Sequence, residues 1–275
     1  MNPLVSSTWL LENIRNPDIR IVDTRFWLGK PSVGLEAYLA GHIPNAIFLD
    51  LETDLSSAKH PNGTGGRHPL PNPEILAARL SSLGIGNQHL IVAYDDPSSG
   101  QGFYAAHLWW LLRYLGHDQV KVLDGGIGAW TGSLETDTPA HPKSLFVPRV
   151  RPEMLASAED VATRATGTIL IDSRAPERYR GEIEPLDKKA GHIPDAQNIV
   201  WASALENGFW KDANAQRQRF DLETAADTIV YCGSGVSACA NLLSLELGGL
   251  HGAKLYAGSW SDWVSDDSRP IKTVE

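Results

Sequence analysis

The sequence is poor in cysteine. Cys232 and Cys239 are the only two among its 275 residues. A small secreted fold held together by disulfides needs more cysteines than this, so the sequence argues against that class of protein. No Cys/His pattern with the spacing of metal ligands surrounds either thiol, and we therefore expect no metal site.

Basic residues and long apolar runs are also scarce. The formal net charge is −9, which argues against nucleic acid as a partner, although a local group of arginines can still bind a small anion. No run approaches the ~18 apolar residues of a membrane-spanning helix, so no membrane partner is expected. The N-terminus lacks the basic and apolar regions of a signal peptide, and we expect a cytoplasmic protein.

What the sequence does contain is one set of landmarks that occurs twice. An apolar run that ends in Asp, a hydroxyl residue and Arg occurs at 19–25 and again at 169–174. A Gly-His-Ile-Pro segment occurs at 41–44 and 191–194. Two further pairs follow in the same order: Tyr94 with Tyr231, and Gly125…Trp130 with Gly258…Trp263. Four ordered matches indicate two diverged copies of one domain.

A proline-rich stretch separates the copies. It carries Pro139, Pro142, Pro148 and Pro152, and proline favours extended chain without backbone donors. We therefore predict an N-terminal domain at 1–138, a linker at 139–152 and a C-terminal domain at 153–275.

Short β-branched runs alternate with helical patterns inside each copy. In the first copy, 91–94 is typical of a buried strand, 103–115 has apolar residues at helical spacing, and 121–123 is a second strand. Gly116 ends the helix. This alternation predicts an α/β fold in which each domain is a mostly parallel sheet flanked by helices.

Cys232 stands where a strand gives way to a helix. The apolar run ends at Tyr231, two glycines follow the cysteine, and a helix is predicted from about Ser237 to Leu247. Glycine N–H groups and the helix N-terminus both favour a negative charge at this place. A thiolate held there is a competent nucleophile, and we expect it to carry sulfur as a persulfide.

Cys239 falls within the predicted helix. Its neighbours are apolar, which favours a packing role in the core. The alternative is a resolving thiol for Cys232.

The segment CGSGVSA at 232–238 is similar to the active-site loop of the tandem-domain rhodanese family, above all its 3-mercaptopyruvate sulfurtransferase branch. Both Gly-His-Ile-Pro segments, the Asp-Ser-Arg strand end and LYAGSW at 255–260 extend the resemblance over nearly the whole chain. It implies a sulfurtransferase with two tandem rhodanese-like domains, of which only the second carries the reactive cysteine. The first copy has Asp95 at that position, and an aspartate cannot carry sulfane sulfur, so we expect this domain to be catalytically silent.

The resemblance also implies the partners. The donor is a small anion, 3-mercaptopyruvate or thiosulfate, and the acceptor is a thiol, cyanide or a thioredoxin-like protein, with no cofactor. Arg178 matches the family's substrate-anchoring arginine. The branch often has a second arginine after Glu-Pro, where this sequence has Leu186, and Lys188 or Lys189 is a partial substitute at best because lysine cannot make the bidentate contact.

The loop itself bears on the choice of donor. Thiosulfate-preferring members carry basic residues directly after the cysteine, whereas Gly233 and Ser234 are neutral. The neutral loop favours 3-mercaptopyruvate, and a thiosulfate-preferring rhodanese is the alternative. The residues expected to contact the donor are Arg178, Gly233, Gly235, Val236, Ser237 and Arg67.

Taking sulfur from a thiol requires the transfer of a proton. The resemblance implies that the loop serine, Ser234, works with a histidine and a carboxylate from the N-terminal domain. The matching positions are His68 and either Asp50 or Glu52, and these groups are able to relay a proton.

Three rival functions fit the sequence less well. A phosphatase of similar fold needs an arginine at the end of the loop, where this chain has Ser237 and Ala238. A non-enzymatic rhodanese-like binding module has no need of Cys232. A dithiol oxidoreductase requires a Cys-x-x-Cys arrangement, which the two cysteines do not form.

Overall fold

The computed structural model describes residues 2–274, and these form two compact units. Unit 1 contains 2–57, Pro71–Arg151 and Asn207–Trp210. Unit 2 contains Ala58–Leu70, Pro152–Glu206 and 211–274. The segment Ala58–Leu70 thus belongs to the same compact unit as Cys232, although it precedes the predicted linker by many residues.

Unit 1 is built on a five-stranded parallel sheet in the order β1-β5-β4-β2-β3. Apolar strand residues and the long helix α4, which carries the buried Trp109 and Trp110, supply its core. The elements of its continuous part are β1 Leu4–Val5, α1 Ser7–Asn13, β2 Ile19–Asp23, α2 Val33–Ala40, β3 Ile47–Phe48, α3 Pro73–Ser82, β4 Leu90–Tyr94, α4 Phe103–Tyr114, β5 Val120–Leu123 and a 3₁₀ turn at Gly126–Ala129.

Unit 2 repeats this plan with a four-stranded parallel sheet in the order β11-β10-β6-β7. Its elements are α5 Ala158–Ala162, β6 Ile169–Asp172, α6 Pro176–Arg180, β7 Gln197–Asn198, β8 Leu205–Glu206, α7 Ala213–Gln218, β10 Thr228–Tyr231, α8 Ala238–Leu247, β11 Lys254–Leu255 and α9 Ser259–Trp263, with 3₁₀ turns at Pro152–Met154 and Trp201–Ala204. The remaining strand, β9 Phe209–Trp210, belongs to unit 1. Two α/β units with parallel sheets confirm the predicted fold class.

The repeated Asp and Arg residues form the same buried ion pair in both units. Arg25 Nη2 lies 2.7 Å from Asp23 Oδ2 and donates to the carbonyl of Gly41 at 2.8 Å. Arg174 repeats this arrangement in unit 2, with 2.6 Å to Asp172 Oδ2 and 2.6 Å to the carbonyl of Gly191. The two repeated segments therefore recur together because the arginine after each strand ties it to the Gly-His-Ile-Pro turn. Loss of one partner of such a buried pair costs about 3–5 kcal/mol.

The repeated histidines lie in matching places as well. His42 Nδ1 is 2.8 Å from the carbonyl of Tyr38, and the two rings stack with centroids 4.0 Å apart. His192 makes the same two contacts with Tyr179, at 2.8 Å and 3.9 Å. Equivalent contacts in the units with and without the cysteine indicate a structural role for both histidines.

The proline-rich stretch up to Arg151 belongs to unit 1 and is held there by backbone hydrogen bonds. Residues 136–151 contain no helix or strand. The N–H groups of Arg149 and Arg151 donate to Leu115 and Tyr114, each at 2.8 Å, and Phe146 is buried. The predicted boundaries at 138 and 153 stay predictions. Within the described residues, 2–274, the helices are too short or too polar to cross a membrane.

Candidate active site

Cys232 lies at the carboxyl end of β10, in the middle of the unit 2 sheet. Its N–H donates to Ser259 Oγ at 3.1 Å, and its carbonyl accepts from the N–H of Trp260 at 3.0 Å. The next carbonyl, that of Gly233, accepts from the N–H of Ser261 at 3.0 Å. The first turn of α9 thus fixes the backbone on which the thiol stands.

The loop after Cys232 presents backbone donors. Across 2–274, the structure gives the N–H groups of 233–238 no hydrogen-bond acceptor, and α8 begins at Ala238 with Ser237 as its N-cap residue. Val236, within this loop, is buried. Unused N–H groups beside a helix N-terminus attract an anion.

Gly235 is required by the path of this loop. Its φ is +82°, a conformation that costs little only for glycine. A Cβ at this position would lie 2.3 Å from the carbonyl oxygen of Ala257. No other residue fits without moving the backbone of the loop or of the segment before α9.

Gly233 makes room for two arginines. A Cβ there would lie 2.8 Å from Arg67 Nη2 and 3.3 Å from Arg178 Nη1. Both guanidinium groups therefore contact the residue that follows Cys232, and both were predicted from the sequence to contact the donor. A planar guanidinium matches a carboxylate or a sulfur oxyanion well.

Carboxylates hold these arginines in place. Arg178 Nη2 is 2.7 Å from Glu184 Oε1 and 3.4 Å from Asp187 Oδ2. Asp187 also accepts a short hydrogen bond from Arg67 Nη1. Leu186, at the position of the family's second arginine, is exposed. The Nζ atoms of Lys188 and Lys189 lie 2.9 and 2.8 Å from Asp267 Oδ1, and their part as partial substitutes stays a prediction.

His68 contacts the loop from the segment Ala58–Leu70. Its side chain is buried, and Nδ1 lies 2.9 Å from Ser234 Oγ. Burial, with help from the nearby charges of Arg67 and Lys59, lowers the pKa of His68 to about 4. The imidazole is therefore neutral at physiological pH and is able to exchange a proton with the hydroxyl group.

Helix α9 positions the segment that carries Arg67 and His68. Ser261 Oγ accepts from the N–H of Arg67 at 3.0 Å, and Asp262 Oδ1 accepts from the N–H of Gly65 at 2.8 Å. These two roles were not predicted from the sequence. A signal was present, since the matching residues before Trp130 in the first copy are Gly128 and Ala129, so the polar pair occurs only in the copy with the cysteine.

Asp50 and Glu52 both belong to unit 1. Asp50 Oδ1 accepts from the N–H groups of Glu52 at 2.8 Å and Thr53 at 3.0 Å, so this carboxylate stabilises its own turn. A catalytic role for either residue stays a prediction. The sequence places His68 in the first copy, with these carboxylates, and its segment packs in unit 2.

Cys239 lies in the core of α8, as its helical spacing predicts. The side chain is fully buried and its thiol is 3.4 Å from the carbonyl oxygen of Gly235. Burial raises the pKa of this thiol well above its usual value, and the nearby Cys232 adds to the effect. Cys239 is thus a poor thiolate.

Asp95 takes the register position of Cys232 in unit 1. Tyr94 pairs with Asp23 in the first sheet as Tyr231 pairs with Asp172 in the second, and Asp95 and Cys232 follow these tyrosines. The Asp95 carboxylate accepts from the N–H groups of Gly102 at 2.7 Å and Tyr104 at 2.9 Å. Burial nevertheless raises its pKa to about 7. The donors at this helix N-terminus are thus occupied by the protein's own side chain.

A cavity of about 340 Å³ adjoins the arginine pair within unit 2. Its lining includes Lys59, His60, Arg67, Leu186, Asp187 and Lys188. No group of three or more His, Cys, Asp or Glu side chains suited to a metal ion occurs in the described part of the chain.

The family model for the rhodanese-like domain matches the chain twice, over residues 6–133 and 156–266. The chain belongs to the rhodanese family of sulfurtransferases. Its second rhodanese-like domain is the one that carries the cysteine loop described above, as the sequence resemblance implied.

Individual relatives agree with that assignment over nearly their full length. A probable 3-mercaptopyruvate sulfurtransferase of Pseudomonas aeruginosa is 39% identical over 281 residues, which cover 98% of both chains. A putative thiosulfate sulfurtransferase of Mycobacterium tuberculosis is 38% identical, covering 92% of this chain and 90% of that protein. A solved 3-mercaptopyruvate sulfotransferase structure from Escherichia coli has a TM-score of 0.82 and 32% identity, covering 94% of this chain and 99% of the other.

Proposed function

We propose that the protein transfers sulfane sulfur from 3-mercaptopyruvate to an acceptor through a persulfide on Cys232. The observation that carries the proposal is the loop at 233–238, whose N–H groups have no acceptor within the described chain and follow a cysteine at the end of a central parallel strand. Such donors stabilise a thiolate before the reaction and a persulfide anion after it.

The first half-reaction forms one bond and breaks another. The thiolate of Cys232 attacks the sulfur of 3-mercaptopyruvate, an S–S bond forms, and the donor's C–S bond breaks. The electron pair of the C–S bond stays on carbon as the enolate of pyruvate. The thiol proton of the donor ends on this carbon, which leaves pyruvate and the anionic persulfide.

The names of the relatives divide between 3-mercaptopyruvate and thiosulfate and do not decide the donor. Two features of the site support 3-mercaptopyruvate. Arg67 and Arg178 meet at Gly233, where they are able to hold a carboxylate beside the reacting sulfur. The contact between His68 and Ser234, at 2.9 Å, supplies a route for the proton that only a thiol donor needs. Thiosulfate gives its outer sulfur to Cys232 and releases sulfite, a step that requires no proton.

The second half-reaction returns the enzyme to its starting state. An acceptor thiol, cyanide or a thioredoxin-like protein attacks the outer sulfur of the persulfide, and Cys232 leaves as a thiolate. The cytoplasmic location expected from the sequence stays a prediction.

A comparison of donors tests this function. We expect kcat/KM for 3-mercaptopyruvate to exceed that for thiosulfate when cyanide is the acceptor, and we expect Cys232→Ser to abolish turnover of both. Cys239→Ala is the matched control and should keep the wild-type rate, because its thiol lies buried in α8. A strong preference for thiosulfate would overturn the choice of donor, and normal turnover by Cys232→Ser would overturn the proposal as a whole.

A further inference from the structure

We propose that Asp187 determines which charge of donor the site accepts, by neutralising the two arginines that flank the cysteine loop. The inference rests on the proposed function, since it concerns the donor of the same reaction. Asp187 is only 4% exposed in its side chain, and it joins Arg67 to Arg178. Both arginines contact Gly233, the residue directly after Cys232.

The ion-paired arginines and carboxylates beside the loop balance in charge. Arg67, Arg174 and Arg178 face Asp172, Glu184 and Asp187, and we call these six residues the arginine–carboxylate cluster. Glu184 is shared, since Oε2 lies 3.2 Å from Arg174 Nη1 and Oε1 lies 2.7 Å from Arg178 Nη2. The cluster has three positive and three negative charges, so an arriving anion meets no net positive charge from it.

The turn from Glu184 to Asp187 fixes these carboxylates. The N–H groups of Leu186 and Asp187 donate to Glu184 Oε1 at 3.1 and 3.3 Å. Leu186 lies between Glu184 and Asp187 in the sequence. Its side chain is exposed, lines the cavity together with Arg67 and adds no charge. The turn therefore contributes two carboxylates and no cation to the neighbourhood of the cysteine loop.

A neutral cluster discriminates between donors by charge. 3-Mercaptopyruvate has one carboxylate and a thiol that is mostly uncharged at neutral pH, whereas thiosulfate carries two negative charges on a small ion. A partly buried carboxylate such as Asp187 repels the second charge in addition to the first, and solvent screens this repulsion poorly. Asp187 thus weakens the binding of the thiosulfate dianion more than the binding of the 3-mercaptopyruvate monoanion.

The test changes this charge and little else. Asp187→Asn keeps an oxygen that accepts from Arg67 but removes the negative charge. We expect the ratio of kcat/KM for thiosulfate to that for 3-mercaptopyruvate to rise at least about tenfold, mainly through a lower KM for thiosulfate. That KM should also become more sensitive to ionic strength, because an uncompensated arginine now attracts the ion.

Two controls separate charge from structure. Asp187→Glu keeps the charge and should keep the wild-type ratio. Glu182→Gln removes the same charge five positions earlier, on an exposed side chain that pairs with Arg180 at 2.6 Å, and should also keep the ratio. A purely structural role for Asp187 would instead lower the rates with both donors equally and leave their ratio unchanged, which would overturn the inference.

A second variant covers the case in which Asp187→Asn does not fold. Leu186→Glu adds a carboxylate beside the same arginines at an exposed position, and the ratio should fall here because the dianion is repelled more than the monoanion. An unchanged ratio in this variant would contradict the inference. If the wild-type protein takes sulfur from neither donor, the proposed function itself has failed. If it takes sulfur normally and the ratio ignores residues 186 and 187, only the role of Asp187 has failed.

Discussion

His68 and Ser234 lie far apart in the chain, yet His68 Nδ1 is 2.9 Å from Ser234 Oγ. The contact exists because the segment Ala58–Leu70 is part of unit 2, where Ser261 and Asp262 hold it through its backbone N–H groups. It joins a hydroxyl group of the cysteine loop to a buried imidazole whose pKa is lowered to about 4.

Replacement of His68 should affect the two donors unequally. His68→Gln removes a proton-transfer group, so we expect kcat/KM for 3-mercaptopyruvate to fall by roughly 100-fold or more, the usual contribution of general acid–base catalysis. Thiosulfate turnover should change by less than about threefold, because sulfite leaves without a proton. Steady-state rates with both donors and cyanide provide the measurement.

Ser234→Ala serves as the partner variant. If His68 and Ser234 act as one relay, the double variant should lose little more than either single variant, because their effects are not additive. Equal losses with the two donors would contradict the relay.

Asp95 should make the stability of the protein depend on pH. Its pKa is raised to about 7 in the folded state by burial, against about 3.9 in an unfolded chain. The folded state therefore holds the proton more tightly, and the stabilisation is present below pH 4 and lost as the pH rises to 7. The free energy of unfolding of the wild type should fall by up to roughly 4 kcal/mol across this window relative to Asp95→Asn.

Urea unfolding of the wild type and Asp95→Asn at several pH values measures this difference. Groups other than Asp95 titrate in both proteins, so the difference between the two curves isolates the carboxyl group. Parallel curves from pH 4 to pH 8 would show that Asp95 ionises alike in the folded and unfolded states, and burial would then have no net effect on its pKa.

Gly235 and Gly249 offer a matched pair of glycines around α8. Both have positive φ, +82° and +73°, so alanine is strained by about 1–3 kcal/mol at either position. A Cβ at Gly235 would also meet the carbonyl oxygen of Ala257 at 2.3 Å, whereas a Cβ at Gly249 meets nothing within 4 Å. Gly235→Ala should thus be the more destabilising substitution and should prevent sulfur loading, while Gly249→Ala should leave loading intact. Thermal unfolding measures the stability of both variants, and a sulfur-loading assay measures their activity. Equal stability and equal loading in the two variants would refute the role of the close contact at Gly235.

The sequence predicts much of this fold because its two copies can be compared. The landmarks at Asp172, Gly191 and Tyr231 each have a counterpart in the first copy, and strand and helix periodicities place the elements to within a few residues. The start of α8 near Ser237 and the burial of Cys239 follow from the same local patterns.

The rest of the site depends on contacts between residues that are distant in sequence. No periodicity indicates that the segment with His68 joins unit 2, because the bonds that hold it come from the backbone of Gly65 and Arg67 to α9. The sequence likewise does not predict the pairing of Asp187 with Arg67, because the two residues are 120 positions apart and meet only through the turn after Glu184. The resemblance to the family marked Leu186 as the unusual residue. The residue that pairs with Arg67 and Arg178 is the neighbouring Asp187.

The most direct test of sulfur transfer through Cys232 is the mass of the intact protein after incubation with 3-mercaptopyruvate and no acceptor. We expect a gain of about 32 Da, one sulfur atom, on the wild type and on Cys239→Ala, located by peptide mapping to Cys232 and reversed by cyanide. Cys232→Ser should gain nothing. A wild-type protein that gains no sulfur, or a gain that maps to Cys239, would contradict a persulfide on Cys232.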